Sequence, residues 1–178
     1  GLPVIVTRGS NTIGPYQYPE KATPLFVTNA IDDLPMPIYG QGTAIRDYLF
    51  VDDHAAAIDL ILHHGVAGEA YNVGSEDALN TVELAREILK RLDRPESLMQ
   101  FVTDRPGHDL RYSLDSTKLR ALGWRREYDL QATLDATVSW YVANEDWWRP
   151  IKSGAFREYY RRQYGEAFAS TTASGGAS

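Results

Sequence analysis

Cysteine is absent from the 178 residues, and this absence removes several classes of chemistry. The chain has no disulfide framework, no thiol nucleophile and no cysteine-based zinc site. His63 and His64 are adjacent, but no third ligand accompanies them in the sequence, so we assign no metal. The lack of cysteine also fits a cytosolic compartment, where thiols are kept reduced and disulfides are rare.

Long apolar runs and an excess of positive charge are missing as well. No apolar run approaches the ~20 residues of a membrane-spanning helix, and Gly1-Leu2-Pro3-Val4 shows no signal-peptide pattern. The net charge of −6 argues against a general nucleic-acid binder, because such a protein needs a basic face. The hydrophobic content of 43% is enough for the core of about one domain.

Short β-branched runs alternate with helical patterns, which indicates an α/β arrangement. Residues 2–7 predict a strand buried on both faces, and residues 8–18, rich in Gly, Asn and Pro, predict an irregular loop. Asp52 or Asp53 is placed to cap a helix over residues 55–64. Farther along, residues 168–178 are almost all Ala, Ser, Thr and Gly, which predicts disorder.

Helix patterns in the second half of the chain carry start signals and apolar stripes. Asp115 and Asp129 are placed to cap two of these helices. A third pattern repeats Leu84, Ala85, Ile88 and Leu89 at helical spacing, which predicts a buried face. Gly40-Gln41-Gly42 lacks the third glycine and the following helix of a dinucleotide fingerprint, so we interpret it as a turn.

The densest group of charged side chains lies between Asp104 and Tyr112. Pro106-Gly107 forces a turn there, because proline fixes φ and glycine accepts positive φ. A turn that holds Arg105 and Arg111 near His108 is suited to an anion, since guanidinium groups meet phosphate oxygens in pairs. From this segment alone, a solvated surface loop remains the alternative.

Seven segments, taken together, carry a more specific pattern. They are Val6-Thr7-Arg8-Gly9-Ser10-Asn11, Gly14-Pro15-Tyr16, Pro19-Glu20-Lys21, Pro37-Ile38-Tyr39-Gly40, Arg46 to His54, Tyr71-Asn72-Val73-Gly74 and Asp104 to Tyr112. In their order and spacing they resemble the dTDP-glucose 4,6-dehydratase family over residues 1 to about 164. Related nucleotide-sugar epimerases and decarboxylases share the Arg46-Asp47 region but not the full Asp104 to Tyr112 run.

The resemblance implies an extended short-chain dehydrogenase/reductase with two parts. An N-terminal Rossmann portion binds NAD, and a smaller C-terminal portion binds the nucleotide sugar. The glycine fingerprint, the Tyr-x-x-x-Lys pair and the Thr-Asp-Glu trio of the family lie upstream of the matched region and do not occur in this chain. We therefore expect an α/β chain that holds the C-terminal substrate-binding domain plus late strands of an NAD-binding Rossmann fold. Residues 1–164 would form this nucleotide-sugar-binding portion and residues 165–178 its disordered tail.

Substrate contacts follow from the resemblance wherever the motifs match. Arg46 and Arg105 would hold the diphosphate, and residues 37–39 would flank the thymine base. The implied substrate-binding residues are Asn11, Lys21, Ala22, Pro37, Ile38, Tyr39, Arg46, Asn72, Arg105, His108 and Tyr112. Where the family usually has a second asparagine that contacts NAD, this chain has Thr12, which leaves that cofactor contact in doubt.

The reaction implied for the complete enzyme is a lyase reaction on dTDP-glucose. It comprises oxidation of the sugar at C4, elimination of water across C5 and C6, and return of the hydride to C6, which gives dTDP-4-keto-6-deoxyglucose. Every catalytic group belongs to the upstream half, so this chain is expected to bind substrate without catalysis. The complete enzyme would be a cytoplasmic homodimer. A free-standing nucleotide-sugar-binding module and a truncated UDP-sugar epimerase or decarboxylase remain the alternatives.

Overall fold

The computed structural model describes residues 1–104, 107, 109–153 and 162. The elements of these residues, in chain order, are β1 (Val6–Gly9), β2 (Asn11–Ile13), α1 (Ala22–Ile31), β3 (Met36–Tyr39), β4 (Ile45–Phe50), α2 (Val51–His64), β5 (Ala70–Val73), β6 (Ala78–Asn80), α3 (Thr81–Arg91), a short 3-10 helix (Glu96–Leu98), β7 (Met99–Val102), β8 (Arg111–Tyr112), α4 (Thr117–Ala121), α5 (Leu130–Ala143) and α6 (Glu145–Lys152). The predicted tail, residues 165–178, lies outside the described residues.

The chain divides into two compact units, each assembled from three separate segments. Unit 1 comprises residues 1–15, 44–80 and 109–137. The described residues of unit 2 lie within the ranges 16–43, 81–108 and 138–178. The two units are therefore interleaved along the sequence, and no single cut through the chain separates them.

Strand β4 organises the sheet of unit 1. It pairs in parallel with β2 and β8 and antiparallel with β6, while β1 and β5 form a separate parallel pair. Parallel pairing needs long connections, and helix α2 lies within the connection that separates β1 from its partner β5. The apolar core of this unit consists of Leu49, Ala57, Ile61, Tyr71, Val73, Leu119 and Trp124.

Unit 2 packs two helices on a parallel pair of strands. Strands β3 and β7 pair in parallel, and α1 and α3 both contact β3. The predicted stripe on α3 is confirmed, because its apolar side chains at positions 84, 85, 88 and 89 are buried. Trp148 of α6 is also wholly buried, and its indole N–H donates to the carbonyl of Tyr141 at 2.8 Å.

The prediction of a buried strand over residues 2–7 is wrong in both position and burial. The strand begins at Val6, and the side chains of Leu2, Val4 and Val6 are exposed. The physical reason is that, among the described strands, β1 pairs only with β5. Ile5, just before the strand, packs against the core of unit 1, whereas Val6, Thr7 and Arg8 of the strand are all exposed.

The prediction of an irregular loop over residues 8–18 is wrong in part. Gly9 still belongs to β1, and residues 11–13 form β2 in parallel register with β4. Local composition predicts a loop here because the glycines and prolines that flank the segment are turn formers. A three-residue strand is instead fixed by its distant partner, which local propensity does not reveal.

The predicted cap of α2 is also wrong, the predicted cap of α5 is confirmed, and the predicted cap of α4 lies one residue before the cap position. Helix α2 begins at Val51, so Asp53 lies inside its first turn rather than before it. The cap residue of α4 is Ser116, and Asp115, one residue earlier, accepts a hydrogen bond from the first N–H of the helix, that of Thr117, at 2.8 Å. At the start of α5, the Asp129 carboxylate accepts from the N–H of Ala132, also at 2.8 Å.

Candidate functional site

Three of the sequence-predicted substrate residues share one face of the sheet in unit 1. Arg46 on β4 is the parallel register partner of Tyr112 on β8. Asn11 on β2 is the partner of Tyr48, which lies two residues along β4 from Arg46. Paired residues on adjacent strands point to the same face, and side chains alternate along a strand. The strand register therefore places Asn11, Arg46 and Tyr112 on a common face.

Arg46 and Tyr48 give this face its charge and its hydroxyl group. The guanidinium of Arg46 is partly buried, and its Nη1 donates to the carbonyl of Ile45 at 2.8 Å. Burial raises the pKa of Tyr48 to about 12, against the opposing effect of the Arg46 charge. The phenol therefore stays neutral near pH 7, and Arg46 supplies a positive charge suited to an anion.

Two further contacts fix the segments on either side of this face. The hydroxyl of Tyr112 donates to the carbonyl of Gly9 at 3.2 Å, which ties β8 to the end of β1. Asn72 on β5 donates from Nδ2 to the carbonyl of Asp115 at 3.1 Å. Tyr112 and Asp115 lie three residues apart on one segment. Through these two hydrogen bonds, that segment is attached to β1 by Tyr112 and to β5 by Asn72.

Asp47, the neighbour of Arg46, is a buried carboxylate that the sequence reasoning did not single out. It is wholly buried, and its Oδ1 accepts from the N–H of Ser75 at 3.1 Å and from the Ser75 hydroxyl. Oδ2 has no hydrogen-bond partner among the described residues. Burial raises the pKa of the Asp47 carboxyl, while hydrogen bonds from Ser75 and Glu76 oppose that shift. The sequence did carry a signal for this burial, because a residue next to an outward-facing arginine on a strand points to the opposite, inner face.

The backbone around Gly74 is closely packed against this carboxylate. A Cβ atom at position 74 would lie 2.5 Å from Oδ2 of Asp47, so only glycine fits without movement. The N–H of Gly74 donates to Oγ of Ser116 at 2.8 Å, and the Ser116 hydroxyl lies 3.1 Å from the carbonyl of Gly74. The connection from β5 to β6 is therefore held from two sides by buried polar groups.

Thr12, the predicted cofactor contact, is engaged by His54, which the sequence reasoning also missed. The hydroxyl of Thr12 is hydrogen-bonded to Nδ1 of His54. A Cβ atom at Gly9 would lie 2.5 Å from Cε1 of the same ring, so the imidazole packs directly on the strand β1 backbone. Burial lowers the pKa of His54, which favours the neutral ring at pH 7.

The base-side residues of the prediction lie on strand β3 in unit 2. Pro37 and Ile38 are buried, and Tyr39 at the end of the strand is partly exposed. Ile38 and Tyr39 pair in register with Phe101 and Val102 of β7. Tyr39 therefore offers the accessible side chain of this trio, while the Ile38 side chain belongs to the core of unit 2.

Lys21 and Ala22 mark the start of α1, also in unit 2. Lys21 is the residue before the helix, and its side chain is 63% exposed and forms a 3.7 Å ion pair with Glu20. Ala22 is the first residue of the helix and is exposed. The positions suit an anion contact, because the first turn of a helix favours negative charge. Whether these residues contact a substrate stays a prediction.

Arg105 and His108, the remaining predicted contacts, lie outside the described residues. Across the parts of the chain that the structure does describe, no three His, Cys, Asp or Glu side chains are grouped so that they could hold a metal ion. The search of the same residues for a helix long and apolar enough to cross a membrane also finds none.

A family model described as GDP-mannose 4,6 dehydratase matches residues 1–137. The chain belongs to that family. Its relatives within this dehydratase family include the dTDP-glucose 4,6-dehydratase of Neisseria meningitidis serogroup B, 43% identical over 88% of this chain and 48% of that protein. The enzyme of the same name from Streptomyces niveus is 49% identical over 86% of this chain and 46% of its own length. The resemblance drawn from the motifs is thus confirmed.

Solved dehydratase structures agree with this assignment. The dTDP-glucose 4,6-dehydratase of Bacillus anthracis, solved with NAD, has a TM-score of 0.82 at 46% identity over 85% of this chain and 48% of that one. The Streptomyces venezuelae enzyme, solved with NAD and TYD, has a TM-score of 0.82 at 45% identity over 85% and 47%. This dehydratase-family chain spans about half the length of the curated relatives it matches. The predicted α/β class with parallel, Rossmann-like strands is confirmed.

Proposed function

We propose that this chain is the substrate-binding part of an NAD-dependent dTDP-glucose 4,6-dehydratase that forms dTDP-4-keto-6-deoxyglucose. The observation that carries the proposal is the common face of Asn11, Arg46 and Tyr112, in a chain similar to enzymes of that name. Those residues come from three strands that are distant in sequence, and the fold brings them together. A face with one arginine, one amide and one phenol suits a sugar diphosphate.

Arg46 is the residue from which we expect the largest contribution to binding. Its guanidinium is partly buried, so a phosphate that reaches it is partly removed from water. Hydrogen bonds to charged groups contribute about 1.5–3 kcal/mol each under such conditions. We propose Arg105 as the second diphosphate contact, with His108 completing the pocket. Asn72, Lys21, Ala22 and residues 37–39 are proposed for the roles that the family resemblance implies.

NAD is proposed as the cofactor of the complete enzyme, where it supplies hydride chemistry. Two features of the described residues argue against a complete NAD site in this chain. Gly40-Gln41-Gly42 leads into the strand β4 and not into a helix, and Thr12 is hydrogen-bonded to His54. We therefore propose that this chain binds and orients the nucleotide sugar and does not turn it over. We also propose a cytoplasmic homodimer for the complete enzyme, to be checked by its mass in solution.

The test is a calorimetric titration of the chain with dTDP-glucose, alongside Arg46→Ala and Arg105→Ala. We expect saturable binding that each variant weakens about tenfold or more, equivalent to ~1.4 kcal/mol. The matched control is Arg86→Ala, because Arg86 pairs with Glu96 on an exposed surface of unit 2 and has no proposed substrate role. A control that weakens binding as much as Arg46→Ala would contradict the proposed role of Arg46.

The same titration separates the alternatives. Absence of binding to the chain at millimolar dTDP-glucose would reject the substrate-binding proposal for this chain. Equal affinity for UDP-glucose would favour the epimerase alternative, for which the UDP-glucose 4-epimerase of Thermotoga maritima is a structural neighbour with a TM-score of 0.75 at 26% identity. Formation of the 4-keto product by this chain with added NAD would reject the claim that it does not catalyse.

A further inference from the structure

We propose that Asp47 is a positioning residue that fixes Arg46, Asn72 and Tyr112 in the geometry that binds the diphosphate. The inference rests on the proposed function for its ligand, but its structural part stands independently. Asp47 touches none of these three side chains through a hydrogen bond in the described residues. It acts instead through the backbone that carries them.

The first link runs from β4 to the connection after β5. Asp47 is the residue next to Arg46, and its side chain points into the core of unit 1. There it accepts both the N–H and the hydroxyl of Ser75. Ser75 lies three residues after Asn72, so this carboxylate sets the distance between the strand that carries Arg46 and the strand that carries Asn72.

The second link runs from the same connection to the segment that carries Tyr112. Gly74 is in contact with the Asp47 carboxylate on one side and exchanges two hydrogen bonds with Ser116 on the other. Ser116 is wholly buried and lies four residues after Tyr112. A shift of Gly74 would therefore move the strand β8. It would also move the carbonyl of Asp115, which is the hydrogen-bond acceptor of Asn72.

The chemistry of the site supports positioning over simple packing. A buried carboxylate costs several kcal/mol to desolvate, and an apolar residue of similar size often stabilises a fold as well or better. The desolvation cost of Asp47 is only partly offset, because one of its oxygens has no hydrogen-bond partner among the described residues. The gain that we assign to it is geometric, because two hydrogen bonds to one serine define the position of the connection more tightly than apolar contact does.

Unit 1 contains a matched control in Asp53. This second buried carboxylate also accepts two bonds, from the N–H of Glu127 at 2.8 Å and from that of Tyr128 at 3.1 Å. The donors Glu127 and Tyr128 lie between α4 and α5, in a segment that carries no proposed substrate residue, although Asp53 itself follows β4, the strand of Arg46. Asp47→Ala and Asp53→Ala therefore each remove a buried carboxylate that accepts two hydrogen bonds, and only the first removes the proposed positioning.

The experiment compares the amide NMR spectra and the dTDP-glucose affinities of wild type, Asp47→Ala, Asp47→Asn and Asp53→Ala. We expect Asp47→Ala to shift the amides of Arg46, Asn72 and Tyr112, to speed exchange of the Ser75 amide and to weaken binding about tenfold. Asp47→Asn keeps an acceptor oxygen and should rescue most of both effects. Asp53→Ala should shift Glu127 and Tyr128 and leave affinity unchanged.

Two results would overturn the inference: amide shifts at Arg46 and Tyr112 no larger in Asp47→Ala than in Asp53→Ala, or equal dTDP-glucose affinity in wild type and Asp47→Ala. If wild type itself binds no dTDP-glucose, the proposed function fails and the amide spectra alone decide this inference. If Asp47→Ala does not fold, Ser75→Ala replaces it, since that change removes the hydroxyl donor and leaves the carboxylate in place.

Discussion

The two units support their predicted site residues by different physical means. In unit 1, polar residues on strands are backed by a buried polar network, with Asp47, Ser75 and Ser116 beneath the face of Arg46. In unit 2, the base-side residues lie on a strand whose inner side chain, Ile38, belongs to an apolar core. Hydrogen bonds depend steeply on direction, while apolar contacts depend on area and volume. We therefore expect substitutions in unit 1 to act by displacing hydrogen-bonded groups, and substitutions in unit 2 to act by leaving cavities in the apolar core.

The largest effect is expected from a cavity in unit 2. Ile38→Ala removes a wholly buried side chain, which costs roughly 2–5 kcal/mol in free energy of unfolding. The neighbouring control is Leu34→Ala, since Leu34 is 44% exposed and an exposed position should change stability by no more than about 0.5 kcal/mol. Urea denaturation measures both. Equal costs for the two variants would contradict the packing account of unit 2.

An intermediate effect is expected where unit 1 loses a buried acceptor. Asp53→Ala removes the acceptor of two part-buried hydrogen bonds, those from the amides of Glu127 and Tyr128. Because the exposed Glu127 leaves water within reach of these donors, we expect a cost of about 1 kcal/mol, the low end for an unsatisfied donor. Asp52 is exposed on the same turn of α2, so Asp52→Ala is the control and should be nearly neutral. Denaturation midpoints measure both variants. A larger loss of stability in Asp52→Ala than in Asp53→Ala would show that the hydrogen bonds accepted by Asp53 do not stabilise the fold.

The smallest effect concerns pH and belongs to unit 1 alone. Because burial raises the pKa of Asp47 in the folded protein above about 3.9, its value in an unfolded chain, the folded state holds this proton to higher pH. Stability from this group is then greatest below about pH 4 and falls as pH rises through the folded-state pKa. Asp47→Asn does not titrate. The difference in unfolding free energy, wild type minus variant, should therefore decline with pH, and a difference that rises with pH contradicts this assignment.

Local pattern predicted the helices well where an apolar stripe or a cap was decisive. The stripe on α3 and the acceptor role of Asp129 follow from residues within a few positions of one another. Motif resemblance predicts that Arg46 and Tyr112 belong to one pocket, and the two residues are register partners on β4 and β8. In each case the information lies within one segment, or in the spacing of whole segments.

Other features were beyond the sequence because distant contacts decide them. The partner of Asp47 is 28 residues away, and that of His54, Thr12, is 42 residues away. Asp53 resembles a helix cap locally, but its carboxylate is used by amides more than 70 residues later. The exposed side chains of β1 were predicted to be buried because a β-branched run indicates a strand without indicating how many partners it has.

The interleaving of the two units has a consequence for the order in which the chain can fold. Each unit needs segments from the beginning, the middle and the last third of the sequence. Contacts of such long sequence separation form slowly, because the entropy of loop closure is lost before the contacts are gained. Neither unit can be completed until residues from 109 onward join the segments that precede them, so we expect this stretch of chain to fold slowly.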